Sequence, residues 1–157
     1  SGLPTDKFFF SGFLPVKIKA KKEYLTSLKN FNSSLIFFES SKRLLKSLEI
    51  MLEIFGDRNM SVCRELTKKF EEVKSHKISD VIKNISSRKS IKGEIVIVVE
   101  GSNDLGGSVN IDRILIKMLE TMSLSDAAKE ISKFTNLSRK EVYNAALKLK
   151  GKKSNES

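Results

Sequence analysis

Apolar positions in the first hundred residues follow two spacings, one typical of β-strands and one typical of α-helices. Phe8, Phe9 and Phe10 form an apolar run between Pro4 and Gly12, which predicts a short buried strand. Similar runs predict strands at 35–38 and 93–101, and further strands are predicted at 60–65 and 70–74, where apolar and polar residues are mixed. Apolar residues at helical spacing predict helices around 24–28, 44–55 and 78–85. Strands that alternate with helices predict an α/β layer domain.

Capping residues and glycines mark the ends of these elements. Ser40 or Ser41 is predicted to cap the second helix, and Gly56 is well placed to end it. The last predicted strand holds five consecutive aliphatic residues between Gly93 and Gly101. Such a run is typical of a central strand that is buried on both faces.

After the last strand, the pattern predicts helices only. An amphipathic segment at 111–121 is followed by a helix from a Ser125 cap to Phe134, and by another that begins at a capping box of Ser138 and Glu141. Short helices joined by short turns predict a helix-turn-helix-like appendage. The predicted units are an α/β domain at 1–101, a linker at 102–110, a helical appendage at 111–150 and a disordered tail at 151–157.

The charge balance of the chain favours a polyanionic partner. Lys and Arg total 29 against 19 Asp and Glu, which gives a formal net charge of +10, and a surplus of that size is typical of proteins that bind nucleic acid. No apolar run approaches the roughly 20 residues of a membrane-spanning helix, so a membrane partner is not expected. The alternative is a lysine-rich surface that only keeps the protein soluble.

The scarcity of Cys and His excludes several kinds of site. Cys63 and His76 are the only residues of their types, which rules out an intrachain disulfide framework and the usual multi-Cys/His zinc site. We therefore predict a reducing, cytoplasmic location and no metal. The chain contains neither GxGxxG nor GxxxxGK[ST], so dinucleotide redox chemistry and nucleotide hydrolysis lose support.

Five segments, in this order along the chain, carry a family resemblance. They are 1–6, 12–15, 37–40 with Arg43, 64–68 with Glu71, and 93–101. Together they resemble the ribosomal RNA small-subunit methyltransferase I family, a ribose-methylating branch of the tetrapyrrole-methylase-like enzymes. The resemblance covers residues 1–101 closely and the helical segment more loosely. One departure is Ser41-Lys42, where the family usually has Pro-His.

This resemblance implies a mixed-sheet, C-terminal domain of a tetrapyrrole-methylase-like fold, with S-adenosylmethionine as the cofactor. In the family, the cofactor lies between two domains, and we expect the N-terminal, cofactor-binding domain to be absent from this chain. By position, the residues that match cofactor-lining segments are Phe38, Glu39, Ser40, Ser61, Ile95 and Val96. The apolar members of this set have an alternative role, since any buried strand carries such residues.

Charged residues supply the remaining candidates. A strand end followed by charges faces solvent or a cleft, and the catalytic candidates there are Arg64, Glu65, Lys68 and Glu71. Surface ion pairs among them are the alternative. A basic loop and the appendage supply the candidates for RNA phosphate contacts, which are Lys17, Lys19, Lys21, Lys22, Arg139 and Lys140.

The resemblance therefore implies a methyltransferase that modifies a cytidine ribose 2′-hydroxyl of small-subunit (16S) ribosomal RNA. We expect this chain to be the C-terminal half, inactive alone, and a homodimer when completed. Its predicted partner is the ribosomal RNA or the assembled small subunit. The alternatives are a non-catalytic basic RNA-binding module, as the lysine distribution alone would suggest, and a related methylase of tetrapyrroles or small molecules.

Overall fold

The computed structural model of the protein describes residues 1–88, 90–102, 111–135 and 137–154. Its strands are β1 (Phe8–Phe13), β2 (Ser34–Ser40), β3 (Asn59–Arg64), β4 (Glu72–Lys77) and β5 (Glu94–Val99). Its helices are α1 (Ile18–Leu28), α2 (Leu44–Phe55), α3 (Ile78–Ser86), α4 (Asp112–Met118), α5 (Leu124–Phe134) and α6 (Arg139–Ser154). The predicted α/β class is thereby confirmed.

The strands form one mixed sheet in the order β1-β2-β5-β3-β4. β1 and β2 are parallel, whereas β5 is antiparallel to both β2 and β3. β5 carries the run of five aliphatic residues and lies at the centre of the sheet, as predicted. Because strand residues alternate between the faces, the register assigns each side chain of this region to one of two faces.

One face is covered by α1, α2 and α3 and contains the core. Leu35, Phe37, Ile97 and Val99 lie on this face and are completely buried. Burying side chains of this size stabilises the fold by about 1.5–3 kcal/mol each. The other face, here called the open face, carries Ile36, which is only half-buried.

The N-terminal segment crosses part of the open face. The hydroxyl of Ser34 in β2 donates to the carbonyl of Pro4, at 2.6 Å. The hydroxyl of Ser75 in β4 donates to the carbonyl of Ser1, at 2.8 Å. These two bonds fix the segment over the middle of the sheet and leave the face uncovered at the end where β2 finishes.

The prediction of a buried first strand is wrong for two of its three aromatic residues. Phe9 faces the core and is 4% exposed, whereas Phe8 and Phe10 are 54% and 53% exposed. Alternation along β1 places Phe8 and Phe10 on the open face, beside Ser34 and Ile36 of β2.

Two predicted helix caps are also wrong. Neither Ser40 nor Ser41 caps α2, which begins after Arg43 without a side-chain cap. Ser123, not Ser125, caps α5 and accepts from the backbone N–H of Asp126. The prediction at Ser138 is correct. The Ser138 hydroxyl accepts from the Glu141 N–H, and the Glu141 carboxylate accepts from the Ser138 N–H.

The helical appendage consists of α4, α5 and α6 and packs against the sheet domain. Phe134 of α5 meets Phe9 of β1 edge to face, at 5.7 Å between ring centroids. α6 continues to Ser154, beyond the predicted end of the appendage at 150 and into the segment predicted to be a disordered tail. Most of the predicted linker, at 103–110, and the last three residues of the predicted tail lie outside the described residues. None of the helices described is long and apolar enough to cross a bilayer.

Candidate functional site

A groove of about 510 Å³ opens on the sheet where β2 ends and β5 begins. This volume lies within the roughly 300–1,000 Å³ of typical small-molecule sites. The residues that line it are Phe13, Phe38, Glu39, Ser40, Ser41, Leu66, Gly93, Glu94, Ile95 and Val96. It thus brings together five of the six residues predicted to bind the cofactor.

Strand alternation separates these residues into two groups. Phe38 pairs with Val96 and Ser40 pairs with Glu94, and these four side chains share the open face. The ring of Phe13, which is 64% exposed, lies 5.4 Å from that of Phe38 and extends the groove wall. The result is an apolar wall with polar groups at one end, a common design for binding a flat heterocycle.

Glu39 borders the groove, but its carboxylate lies on the opposite, helix-covered face. It is buried and accepts hydrogen bonds from Lys21, Ser47, Arg43 and the backbone N–H of Ser40. Burial raises the pKa of Glu39, but these hydrogen bonds together outweigh it, so the pKa lies below its ordinary value. The carboxylate therefore joins β2 to α1 and α2 and is occupied by protein donors.

The prediction that Lys21 binds RNA is wrong. Its side chain is only 3% exposed, and its ammonium donates to Glu39 at 2.9 Å and to Ser47 at 2.6 Å. Most of the predicted basic loop is the first half of α1, and Lys17 directly precedes that helix. Lys21 precedes Tyr24, Leu25 and Leu28 by three, four and seven residues and so lies on the buried face of that helix.

Ser61 lies outside the groove, although it shares the open face with Val98 and Val96. Its side chain is completely buried, and its hydroxyl is hydrogen-bonded to that of Ser75, at 2.9 Å. Ser75 in turn donates to the carbonyl of Ser1. The geometry therefore gives the predicted cofactor role of Ser61 no support.

Two of the catalytic candidates form the rim of the groove. The Glu65 carboxylate accepts from the Glu94 N–H at 2.8 Å and from Lys68, which also donates to the Glu94 carboxylate at 3.0 Å. These donors hold the pKa of Glu65 below its ordinary value, the backbone N–H being the largest cause. A Cβ at Gly93 would lie 2.6 Å from the Glu65 carboxylate and would displace that side chain, and the Gly93 φ of 105° lies in the region that favours glycine.

The loop at 65–71, which joins β3 to β4 and is here called the rim loop, adopts a strained backbone. Glu65 and Thr67 have φ angles of 51° and 64°, in the left-handed region that β-branched residues rarely adopt. The Glu71 carboxylate accepts from the Thr67 N–H at 2.6 Å and holds this conformation. Leu66, between the two strained residues, lines the groove and is 40% exposed. Strain of this kind persists where the surrounding contacts impose it, and it is concentrated at functional sites.

Arg64 is directed away from the groove. Its guanidinium meets the Glu72 carboxylate at 3.2 Å, and Arg88 meets the same carboxylate at 2.7 Å. The hydrogen bond from Arg88 is the largest cause that lowers the pKa of Glu72 to about 2. Arg64 thus joins β3 to β4 and is linked through Glu72 to Arg88, two residues after the end of α3.

The remaining RNA candidates are at the surface. Lys17, Lys19 and Lys140 are exposed, whereas Lys22 is ion-paired with Glu53 at 2.7 Å. Arg139 is exposed and donates to the Ser125 hydroxyl. Their contact with RNA stays a prediction.

Sequence reasoning missed three of the groove residues that carry exposed side chains, namely Phe13, Leu66 and Glu94. Each lies within a segment that carried the family resemblance. Phe13 follows Gly12, whose φ of 68° accompanies a register shift in β1. The family motifs could therefore have indicated these residues as site residues, although sequence spacing alone does not reveal that the side chains meet in one groove.

The family model and the curated relatives that match this chain carry the same family name. A family model described as "RsmI C-terminal HTH domain" matches residues 106–150. Proteins named ribosomal RNA small subunit methyltransferase I match 96% of this chain. They are 43% identical in Erythrobacter litoralis, 39% in Mesorhizobium japonicum and 37% in Rickettsia prowazekii. Among solved structures, the methyltransferase CobJ is similar with a TM-score of 0.46 and 14% identity, over 60% of this chain and 41% of that one.

The chain spans about half the length of the curated relatives it matches, namely 53%, 52% and 55% of the three just named. The helix-turn-helix match coincides with α4, α5 and most of α6, which confirms the predicted appendage. The resemblance predicted from the five segments is likewise confirmed: the chain is similar to the C-terminal half of the ribosomal RNA small-subunit methyltransferase I family.

Proposed function

We propose that this chain is the C-terminal half of a cytoplasmic, S-adenosylmethionine-dependent enzyme that methylates a cytidine ribose 2′-hydroxyl of small-subunit ribosomal RNA. The observation that carries the proposal is the groove, where Phe13, Phe38 and Val96 meet beside the rim formed by Glu65, Lys68 and Glu94. Relatives of this chain are named as methyltransferases of small-subunit ribosomal RNA.

The groove residues fit the proposed cofactor. Phe38 and Val96 offer an apolar surface for the faces of an adenine ring, and the hydroxyls of Ser40 and Ser41 can bind polar edges. Glu94 is largely exposed at the rim, where its carboxylate suits a cationic or hydroxyl-bearing ligand. Once bound, the cofactor would supply the electrophilic methyl group.

The rim residues suit a positioning role better than proton abstraction. The Glu65 carboxylate already accepts two hydrogen bonds, and its lowered pKa makes it a weak proton acceptor. The Glu71 carboxylate likewise accepts a hydrogen bond from the Thr67 N–H. Methyl transfer requires the ribose oxygen in line with the methyl group, so a fixed geometry can account for much of the rate. We therefore assign no general base.

The appendage would contribute RNA affinity. Lys140, Tyr143 and Asn144 lie at i, i+3 and i+4 on α6 and are exposed, Tyr143 by 40%. An exposed aromatic ring beside cationic groups can stack on an unpaired base while lysine binds phosphate. This face would give affinity that falls with salt, whereas the groove would select the chemistry.

The test is transfer of labelled methyl from S-adenosylmethionine to small ribosomal subunits that lack the modification. The chain alone is compared with the chain completed by the N-terminal half of the family. We expect label on a ribose only with the completed protein. A completed protein that binds the subunits but transfers no label would favour the non-catalytic RNA-binding module.

A further inference from the structure

We infer that Lys117, in the helical appendage, is a positioning residue that fixes the wall of the cofactor groove. Its ammonium donates to the carbonyl of Ser11 at 2.7 Å and to that of Phe13 at 2.9 Å. Phe13 forms the outer wall of the groove, against Phe38. The inference rests on the proposed cofactor role of that groove.

The contacted part of β1 needs an external donor. The β1–β2 register shifts between Phe10 and Gly12, which makes Ser11 the additional residue of a bulge. β1 also forms one edge of the sheet. Edge carbonyls require a partner from outside the strand ladder, and Lys117 supplies it for two of them.

Lys117 is also held in place by a contact with α1. Its ammonium lies 4.3 Å from the centre of the Tyr24 ring in α1, a favourable cation–π distance. The Tyr24 hydroxyl is hydrogen-bonded to that of Ser11 at 2.9 Å, and both side chains are buried. Lys117, Tyr24 and Ser11 thus form a cluster that joins the appendage, α1 and the bulge of β1.

The appendage also contacts β1 at a second point, where Phe134 packs on Phe9. Lys117 contacts the end of the strand that leads into the groove, whereas Phe134 contacts its beginning. Removing the Lys117 donors leaves the Ser11 and Phe13 carbonyls without this partner and releases the Phe13 wall. A displacement of about 1 Å at a binding surface can weaken the function of that surface greatly.

The experiment measures the affinity of the completed protein for S-adenosylhomocysteine by calorimetry, with thermal melting as the folding control. We expect Lys117→Met to weaken binding roughly tenfold, since charge-assisted hydrogen bonds are lost. Lys117→Arg, which keeps donors and charge, should stay within about threefold of the original protein. The matched control is Lys129→Met, an exposed appendage lysine, which should bind normally.

A pH profile separates positioning from general stability. Burial lowers the pKa of Lys117 to about 8, and the charge of Glu120, which lies just after α4, acts in the opposite direction. The pKa of neighbouring Tyr24 is raised to about 12 by burial, so Tyr24 stays neutral in this range. The other charged groups nearby are Glu23 and Arg113, which form an ion pair at 2.9 Å. The affinity of the original protein should therefore fall above pH 8 more steeply than that of Lys117→Arg.

Each outcome decides the matter. Equal affinity of Lys117→Met and the original protein, or parallel pH profiles for the original protein and Lys117→Arg, overturns the inference. If Lys117→Met does not fold, the two profiles alone decide. If the original completed protein does not bind S-adenosylhomocysteine, the proposed function fails and this inference fails with it.

Discussion

The Lys21 ammonium lies 2.9 Å from the Glu39 carboxylate, and both side chains are almost completely excluded from solvent. Arg43 approaches the other carboxylate oxygen at 2.7 Å. A buried charge that loses its partner costs far more than an exposed one. This ion pair therefore holds α1 on β2 directly beneath the groove.

We predict that Lys21→Met lowers the free energy of unfolding by about 3 kcal/mol, because the Glu39 carboxylate is left buried with fewer donors. The matched control is Lys22→Met, whose partner Glu53 is 58% exposed, and it should cost less than about 1 kcal/mol. Urea unfolding of the two variants measures both values. Similar losses in the two variants would contradict a structural role specific to Lys21.

The core could be predicted from the sequence because it depends on periodicity. The aliphatic run of β5 and the helical spacing of α2 and α3 are local patterns, and the structure contains all three elements. Lys21 was misassigned because its partner Glu39 is 18 residues away. Its position on the apolar face of α1 was the local sign that it would be buried.

The site could be predicted only in part. The motif residues Phe38 and Val96 do meet in the groove, because β2 and β5 are hydrogen-bonded neighbours. That pairing joins residues far apart in sequence, and spacing does not encode it. The contact of Lys117 with Ser11 is more distant still, at 106 residues, and no local pattern predicts it.

Filling the groove should weaken cofactor binding without unfolding the protein. We predict that Val96→Trp weakens binding of S-adenosylhomocysteine by the completed protein at least roughly tenfold, since the indole would occupy the space beside Phe38. The matched control is Val73→Trp. Val73 of β4 and Val96 of β5 both pair with Cys63 of β3, which lies between them, and both lie on the open face. Normal binding by Val96→Trp would exclude this groove as the cofactor site.

Charge removal on α6 should reduce the salt dependence of RNA binding. Each phosphate contact that is lost lowers the slope of log affinity against log salt by about 1. We therefore predict a slope reduced by about 2 for the double variant Arg139→Gln with Lys140→Gln, measured on small-subunit RNA. Lys46→Gln is the control, because Lys46 is an exposed lysine of α2 outside the appendage. An unchanged slope in the double variant would remove these residues from the RNA interface.

Acid should weaken the ion cluster around Glu72. Its pKa is lowered from the ordinary 4.5 to about 2, mainly by the hydrogen bond from Arg88, so its carboxylate stabilises the folded state above pH 4.5. That contribution is lost as the pH falls from 4.5 towards 2. We predict that Glu72→Gln costs about 1 kcal/mol at pH 7, a value moderated by partial exposure.

The difference in unfolding free energy between the original protein and Glu72→Gln should shrink steadily below pH 4.5, because protonation gives the original side chain the same neutral state as the variant. Glu49→Gln provides the comparison, since its pair with Lys46 is well exposed. Its effect should be smaller at every pH. A difference for Glu72→Gln that stays constant down to pH 2.5 would mean that packing rather than charge explains the loss.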